Sequence, residues 1–80
     1  PEVLHFNGEV KEIGDGNLLV TYLSTADGFM ELSDGDYVMS TDNLLDEVQK
    51  GDVVTIWFGG IILETAPAQL TNVYRIEKAE

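Results

Sequence analysis

Hydrophobic and polar residues alternate near the start of the chain. Between Leu4 and Ile13, the even positions from 4 to 10 hold Leu, Phe, Gly and Val, and the odd positions from 5 to 11 hold His, Asn, Glu and Lys. A period of two predicts a long first strand with one buried and one solvated face. Gly8 interrupts the buried set and predicts a bulge or sharp bend. Residues 14–17, Gly-Asp-Gly-Asn, predict a hairpin turn into a second strand at residues 18–23.

The remaining strands are shorter, and turn residues separate them at intervals of about eight to twelve positions, which is typical of a small sandwich or barrel. Segments that combine alternation with β-branched and aromatic residues are predicted as strands. These segments are Asp36–Ser40, Val53–Phe58, 61–65 and 72–77, with a further short strand indicated at 29–32.

One segment has helical rather than alternating spacing. Leu44, Leu45 and Val48 fall on one face of a helix, and Thr41 or Asp42 can cap its first turn. We therefore predict a short helix over residues 41–49, between the third and fourth strands.

A helix at that point in the strand order is typical of an OB fold. The sequence thus predicts a single all-β domain over residues 1–80, a small OB-like barrel of five to six strands with one short helix. An SH3-like barrel, which has no helix in that place, is the alternative architecture.

Charge narrows the range of partners. Fifteen Asp and Glu residues face four Lys and Arg residues, so the formal net charge is −11. The scattered cations form no basic stripe, and we therefore expect no nucleic-acid partner. No apolar run is long enough to span a bilayer, so we expect no direct membrane insertion by this segment. An unknown protein or peptide partner is expected, and the oligomeric state stays open.

Few residues in the chain suggest chemistry. Cysteine is absent, which excludes disulfides and thiolate metal sites. The only histidine, His5, has no nucleophile pattern around it, and an exposed histidine on a strand face is the simpler interpretation. We therefore assign no catalytic, cofactor-binding or metal-binding residue and expect a non-enzymatic protein without a cofactor.

Trp57 is the first candidate contact residue. If Val54, Ile56 and Phe58 face the core, alternation places Trp57 on the outer face. An exposed tryptophan often marks a contact surface. The alternative is that its ring packs under residues 66–70.

The C-terminal third also carries a resemblance. Residues 51–60 (GDVVTIWFGG), followed by Glu64-Thr65 and Pro67-Ala68-Gln69, resemble small extracellular or lipoprotein-type domains of unknown function from Gram-positive bacteria. Those domains often carry a Tyr-Pro-Ala-Gln-like motif, and Ala66 stands here where the tyrosine would be. Residues 8–10 and 18–20 are similar to the family's opening hairpin.

The resemblance implies an OB-like barrel exported to the cell envelope, with a signal segment removed upstream of Pro1, and it implies no activity. We expect a non-enzymatic binding or accessory module that contacts a protein or peptide. The candidate contact surface is Trp57, Glu64, Pro67 and Gln69. For Pro67 and Gln69 a purely structural role is the alternative: the proline fixes a turn, and the Gln69 amide ties this segment to a neighbouring strand. The alternative function is that of an oligosaccharide- or oligonucleotide-binding OB domain.

Overall fold

The computed structural model describes residues 3–25, 35–59 and 62–79, and its regular structure there is entirely β. The all-β class is therefore confirmed. The short strand indicated at residues 29–32 lies outside the described residues, as does the first residue of the strand predicted at 61–65. The strands are β1 (Leu4–Ile13), β2 (Asn17–Thr25), β3 (Asp36–Ser40), β4 (Val53–Phe58), β5 (Ile62–Leu63), β6 (Ala68–Leu70) and β7 (Val73–Lys78).

The strands form one mixed sheet in the order β5-β6-β3-β2-β1-β4-β7. All neighbouring pairs are antiparallel except β3 and β6, which are parallel. Only residues 71 and 72 separate β6 from β7, although these strands lie near opposite ends of the sheet. Three Cα steps reach at most about 11 Å. The sheet must therefore curl until its two ends come close.

The concave face of this curled sheet holds the core. Alternation predicted its main members correctly in β1, β3 and β4. Phe6 lies at the centre, and its ring packs at centroid distances of 5.7–5.9 Å against Tyr22, Tyr37 and Phe58. The buried residues are Leu4, Phe6, Val10, Leu18, Val20, Tyr37, Met39, Val54, Ile56, Phe58, Leu70 and Ile76.

The bulge predicted at Gly8 is confirmed. The register of β1 against β2 shifts between Asn7 and Gly8. A Cβ atom at position 8 would lie 3.1 Å from both the Thr21 carbonyl oxygen and a Val20 methyl carbon. Glycine is therefore the residue that lets the two strands approach closely at this bend.

The helix predicted over residues 41–49 is wrong: this segment is described and contains no helix. One turn bond is formed, from the Leu44 N–H to the Thr41 carbonyl at 3.1 Å, and the backbone then bonds to β7. The Leu45 N–H donates to the Ile76 carbonyl at 2.9 Å, and the Ile76 N–H donates to the Asn43 carbonyl at 3.0 Å. Leu44 forms an isolated parallel bridge with Ile76 and is half-buried against the core.

Two side chains extend this contact along β7. The Asn43 amide donates to the Val73 carbonyl at 2.8 Å, and the Asp46 carboxylate accepts the Lys78 N–H at 2.8 Å. We call residues 43–46 the edge strap. Tertiary hydrogen bonds offered by an otherwise unpaired strand edge thus outweigh a weak local helical preference.

The predicted closed barrel is also wrong, because the two end strands of the sheet, β5 and β7, do not pair. The backbone N–H and C=O of Ile76, on the edge of β7 away from β4, bond to the edge strap and not to another strand of the sheet. The strand count rises to seven because residues 68–70, placed in no strand by the sequence, pair with β3 and β5.

The C-terminal strand carries a second departure from simple alternation. Trp57 pairs with Arg75 and Phe58 pairs with Val73, so Tyr74 is an extra residue in β7. Ile76 is buried, whereas Tyr74 is exposed. Simple alternation would place these two residues on one face, and the extra residue at Tyr74 changes that alternation.

Candidate functional site

The convex face of the sheet carries two distinct groups of side chains. One group is the tryptophan row, His5, Trp57 and Arg75, on β1, β4 and β7. The other is the apolar row, Leu19, Val38, Gln69 and Leu63, on β2, β3, β6 and β5. Each row consists of directly paired residues, whose side chains lie next to one another on one face.

Trp57 uses both faces of its ring within the chain. The His5 ring stacks on it at a centroid distance of 5.6 Å and an angle of 26°. The Arg75 guanidinium carbon lies 5.1 Å from the indole centroid. Because β4 lies between β1 and β7, these two neighbours lie on opposite sides of the indole.

Arg75 is itself held in place by Glu77. Its Nη2 and Nε atoms donate to one carboxylate oxygen of Glu77 at 2.6 and 3.1 Å. The tryptophan row is thus a packed cation–π and aromatic stack. A base or sugar ring that stacked on Trp57 would have to displace His5 or Arg75.

The apolar row is more open. Its members on β2 and β3, Leu19 and Val38, are half-exposed, and Leu63 on the edge strand is 45 % exposed. Gln69 lies between Val38 and Leu63 and is exposed. Three apolar side chains, on β2, β3 and β5, therefore lie in line with the Gln69 amide of β6 on the solvent side of the sheet.

Polar residues border this row. On one side, Thr21 pairs with Glu9 and Asp36. Asp36 accepts hydrogen bonds of 2.9 Å from Lys11 Nζ and from Thr21 Oγ1. The hydrogen bond from Lys11, followed by that from Thr21, lowers the pKa of Asp36, and the same contact raises the pKa of Lys11.

On the other side of the row, Asn17 pairs with Ser40. Glu12 pairs with Leu19 and is exposed, so it adds a negative charge at one end of the row. An apolar centre with a polar border, which here includes the carboxylates of Glu9, Glu12 and Asp36, has the anatomy of a protein interface.

The predicted contact residues separate into two places. Glu64 and Pro67 are exposed beside β6, next to the apolar row, and Gln69 belongs to that row. Trp57 lies on β4, toward the other end of the strand order. The Gln69 amide donates to Thr65 Oγ1 at 3.4 Å, and that hydroxyl donates to the Pro67 carbonyl at 2.6 Å. Gln69 therefore ties this segment to itself rather than to a neighbouring strand.

Sequence reasoning missed Leu19, Val38 and Leu63 as surface residues. A signal was present, because the second strand reads Leu18-Leu19-Val20 and so has apolar side chains on both faces. The pattern does not say whether the outer leucine is covered by another element. Only the strand order leaves it open to solvent.

The structure brings no catalytic or metal constellation together among the described residues. Neither His5 nor Glu64 lines any of the three described concavities. Within the same ranges, no three His, Cys, Asp or Glu residues are grouped for a metal ion. No helix in the described part of the chain has the length and apolar character needed to cross a bilayer.

Comparison with known proteins gives no relative. No protein-family model, curated protein or solved structure matches the chain. The similarity to small envelope domains therefore rests on the quoted residues alone.

Proposed function

We propose that this chain is a non-enzymatic binding module whose apolar row takes up a basic protein or peptide segment. The observation that carries the proposal is the row of Leu19, Val38 and Leu63 with Gln69 among them, bordered by polar residues that include three carboxylates. Leu63 and Gln69 would make the first contact because they are the most exposed members of the row.

Charge supports a basic partner over a second copy of this chain. Two copies would each carry −11 and repel one another, whereas a cationic segment would be attracted before contact. Three of the four cations already pair with carboxylates of the chain, namely Lys11, Arg75 and Lys78. A basic partner would supply cations for the carboxylates that have no cation of the chain to pair with.

Oligosaccharide or oligonucleotide binding, the alternative function, has less support. Such ligands use open aromatic faces, and both faces of Trp57 are covered by His5 and Arg75. We retain the cell envelope as the proposed location on the strength of the resemblance. Protease accessibility of the tagged full-length protein on intact cells would test that location, and protection from protease would contradict it.

A model peptide tests the binding proposal. The apolar row spans three inter-strand spacings, about 14 Å, which an extended peptide covers with about five residues. We would measure fluorescence anisotropy of a labelled peptide of about eight alternating lysines and leucines. The matching peptide of glutamate and leucine controls for charge, and we expect binding of the lysine peptide only.

Leu63 and Ile13 provide a matched pair of variants. Leu63→Ser changes the apolar row, and Ile13→Ser changes an equally exposed residue at the β1–β2 hairpin (45 % and 47 % exposed). We expect Leu63→Ser to weaken peptide binding about tenfold, as for a moderate interface residue, and Ile13→Ser to leave it unchanged. Equal affinities for the two variants would show that charge alone attracts the peptide and would overturn the proposed site.

A further inference from the structure

We infer that a cavity at the seam of the curled sheet binds an alkylammonium group, supplied by a lysine side chain of the basic partner. This inference rests on the proposed function and deepens it. The cavity, about 260 Å³, lies between the end of β3, the edge strap and the connection from β6 to β7. Ligand pockets for drug-sized molecules begin at about 300 Å³, so this cavity suits a single side chain.

The walls provide the apolar part of such a site. Leu70 is buried at 6 % exposure, and Val73 is half-buried against the same core. A lysine places its methylene stem along apolar surface and keeps its charged end among polar groups. Leu70 and Val73 would contact the stem.

Asp42 provides the charge. Its backbone N–H donates to Ser40 Oγ at 3.1 Å, while its carboxylate has no hydrogen bond or ion pair within the described residues. The chain's own paired cations are committed to Asp36, Glu77 and Asp52. An ammonium group from outside the chain would therefore be the first cation to pair with Asp42.

The cavity is organised before any ligand arrives. The Asn43 amide donates to the Val73 carbonyl at 2.8 Å and joins the edge strap to β7. The Gly59 N–H donates to the Asn72 carbonyl at 2.9 Å and ties the connection from β6 to β7 to the end of β4. Binding then needs little ordering of the protein, which favours affinity for a small group.

The other described concavities lack this combination. One is lined by Asp46, Glu47 and Lys78, so it contains its own cation. Another contains both Lys11 and Lys50. Calcium is a poor occupant of the seam cavity, because it takes six to eight oxygen ligands, whereas Asp42 is the only carboxylate among the lining residues.

The test is a titration of ¹⁵N-labelled protein followed by NMR. The probe is Nα-acetyl-lysine N-methylamide, and its control is the norleucine counterpart, which has the stem without the ammonium. We expect the lysine probe alone to shift the amide signals of Asn43, Thr71 and Val73. Asp42→Asn should weaken that binding about fivefold, the loss for one partly exposed ion pair. Asp15→Asn, which removes the same charge at the exposed β1–β2 turn, should leave it unchanged.

Several results would overturn the inference: equal shifts from the norleucine probe, an unchanged affinity in Asp42→Asn, or the same shifts from calcium chloride at lower concentration. The peptide assay separates this inference from the binding proposal. If Leu63→Ser weakens the lysine–leucine peptide while the lysine probe leaves the cavity unshifted, only the inference fails. If the probe binds the cavity while Leu63→Ser leaves the affinity for the peptide unchanged, the apolar-row proposal fails instead.

Discussion

Ile56 shows how a single core position contributes to this small sheet. It is fully buried in β4, between β1 and β7, and its cross-strand partners are Phe6 and Ile76. Without disulfides, stability depends on such packing. A methylene removed from this site leaves a void that neighbouring strands cannot fill without moving.

We therefore predict that Ile56→Val lowers the free energy of unfolding by about 0.5–1.5 kcal/mol. Urea denaturation measures the loss. Ile13→Val is the matched control, because Ile13 is 47 % exposed at the end of β1 and the same methylene there contacts mostly water. Similar losses in the two variants would contradict the assigned core.

The pair of Lys11 and Asp36 predicts a pH dependence. The pKa of Asp36 is lowered, so its contribution to stability is present above the unfolded value of 3.8 and is lost as the pH falls through the folded pKa. The pKa of Lys11 is raised, so its contribution is present below 10.5 and is lost as the pH rises through its folded pKa.

Asp36→Asn should accordingly lower Tm at neutral pH, and the difference from the parent protein should shrink once the pH falls below the pKa of Asp36. Thermal melts at neutral and strongly acidic pH measure this. Asp15→Asn removes one charge at the exposed hairpin turn and serves as the control. A difference in Tm that grew on acidification would have the wrong sign for this pair.

The edge strap explains why residues 41–49 do not form the predicted helix. Leu44, Leu45 and Val48 do have helical spacing, but the segment is too short to form a stable helix by itself. The free edge of β7 offers backbone donors and acceptors that an extended segment can satisfy. Local spacing contains no information about that edge.

Asp46 tests the strap directly. We predict that Asp46→Ala lowers the free energy of unfolding by about 1 kcal/mol, since the Lys78 N–H loses its acceptor. Hydrogen exchange should be faster at the Lys78 amide than in the parent protein. Glu47→Ala, one residue further along, is the control and should leave that amide unchanged.

The net charge of −11 makes the carboxylates of the folded chain repel one another. The three ion pairs among the described residues, all with partly exposed side chains, offset little of this repulsion. Salt screens charges over about 30 Å at 0.01 M and about 3 Å at 1 M. The folded chain holds its charge of −11 in a smaller volume than the unfolded chain. Screening therefore lowers the free energy of the folded state more than that of the unfolded state.

We predict that sodium chloride raises Tm by several degrees at neutral pH, since about 1 kcal/mol shifts Tm by 4–8 °C in a domain of this size. The same titration near the isoelectric point of about 4.1 is the control, because little net repulsion is left to screen there. A Tm that falls with salt at neutral pH would mean that the ion pairs outweigh the repulsion.

Local sequence pattern was enough to predict the β class, the bounds of Asp36–Ser40 and Val53–Phe58, the bulge at Gly8 and the side chains that face the core in those strands. These features follow from alternation and turn chemistry, which act between near neighbours. Contacts between distant segments set the strand order, the position of the edge strap and the lack of pairing between the two end strands of the sheet. The same contacts place Trp57 between His5 and Arg75 and leave the apolar row exposed. Those outcomes depend on which distant strands meet, and the pattern of one strand does not encode its neighbours.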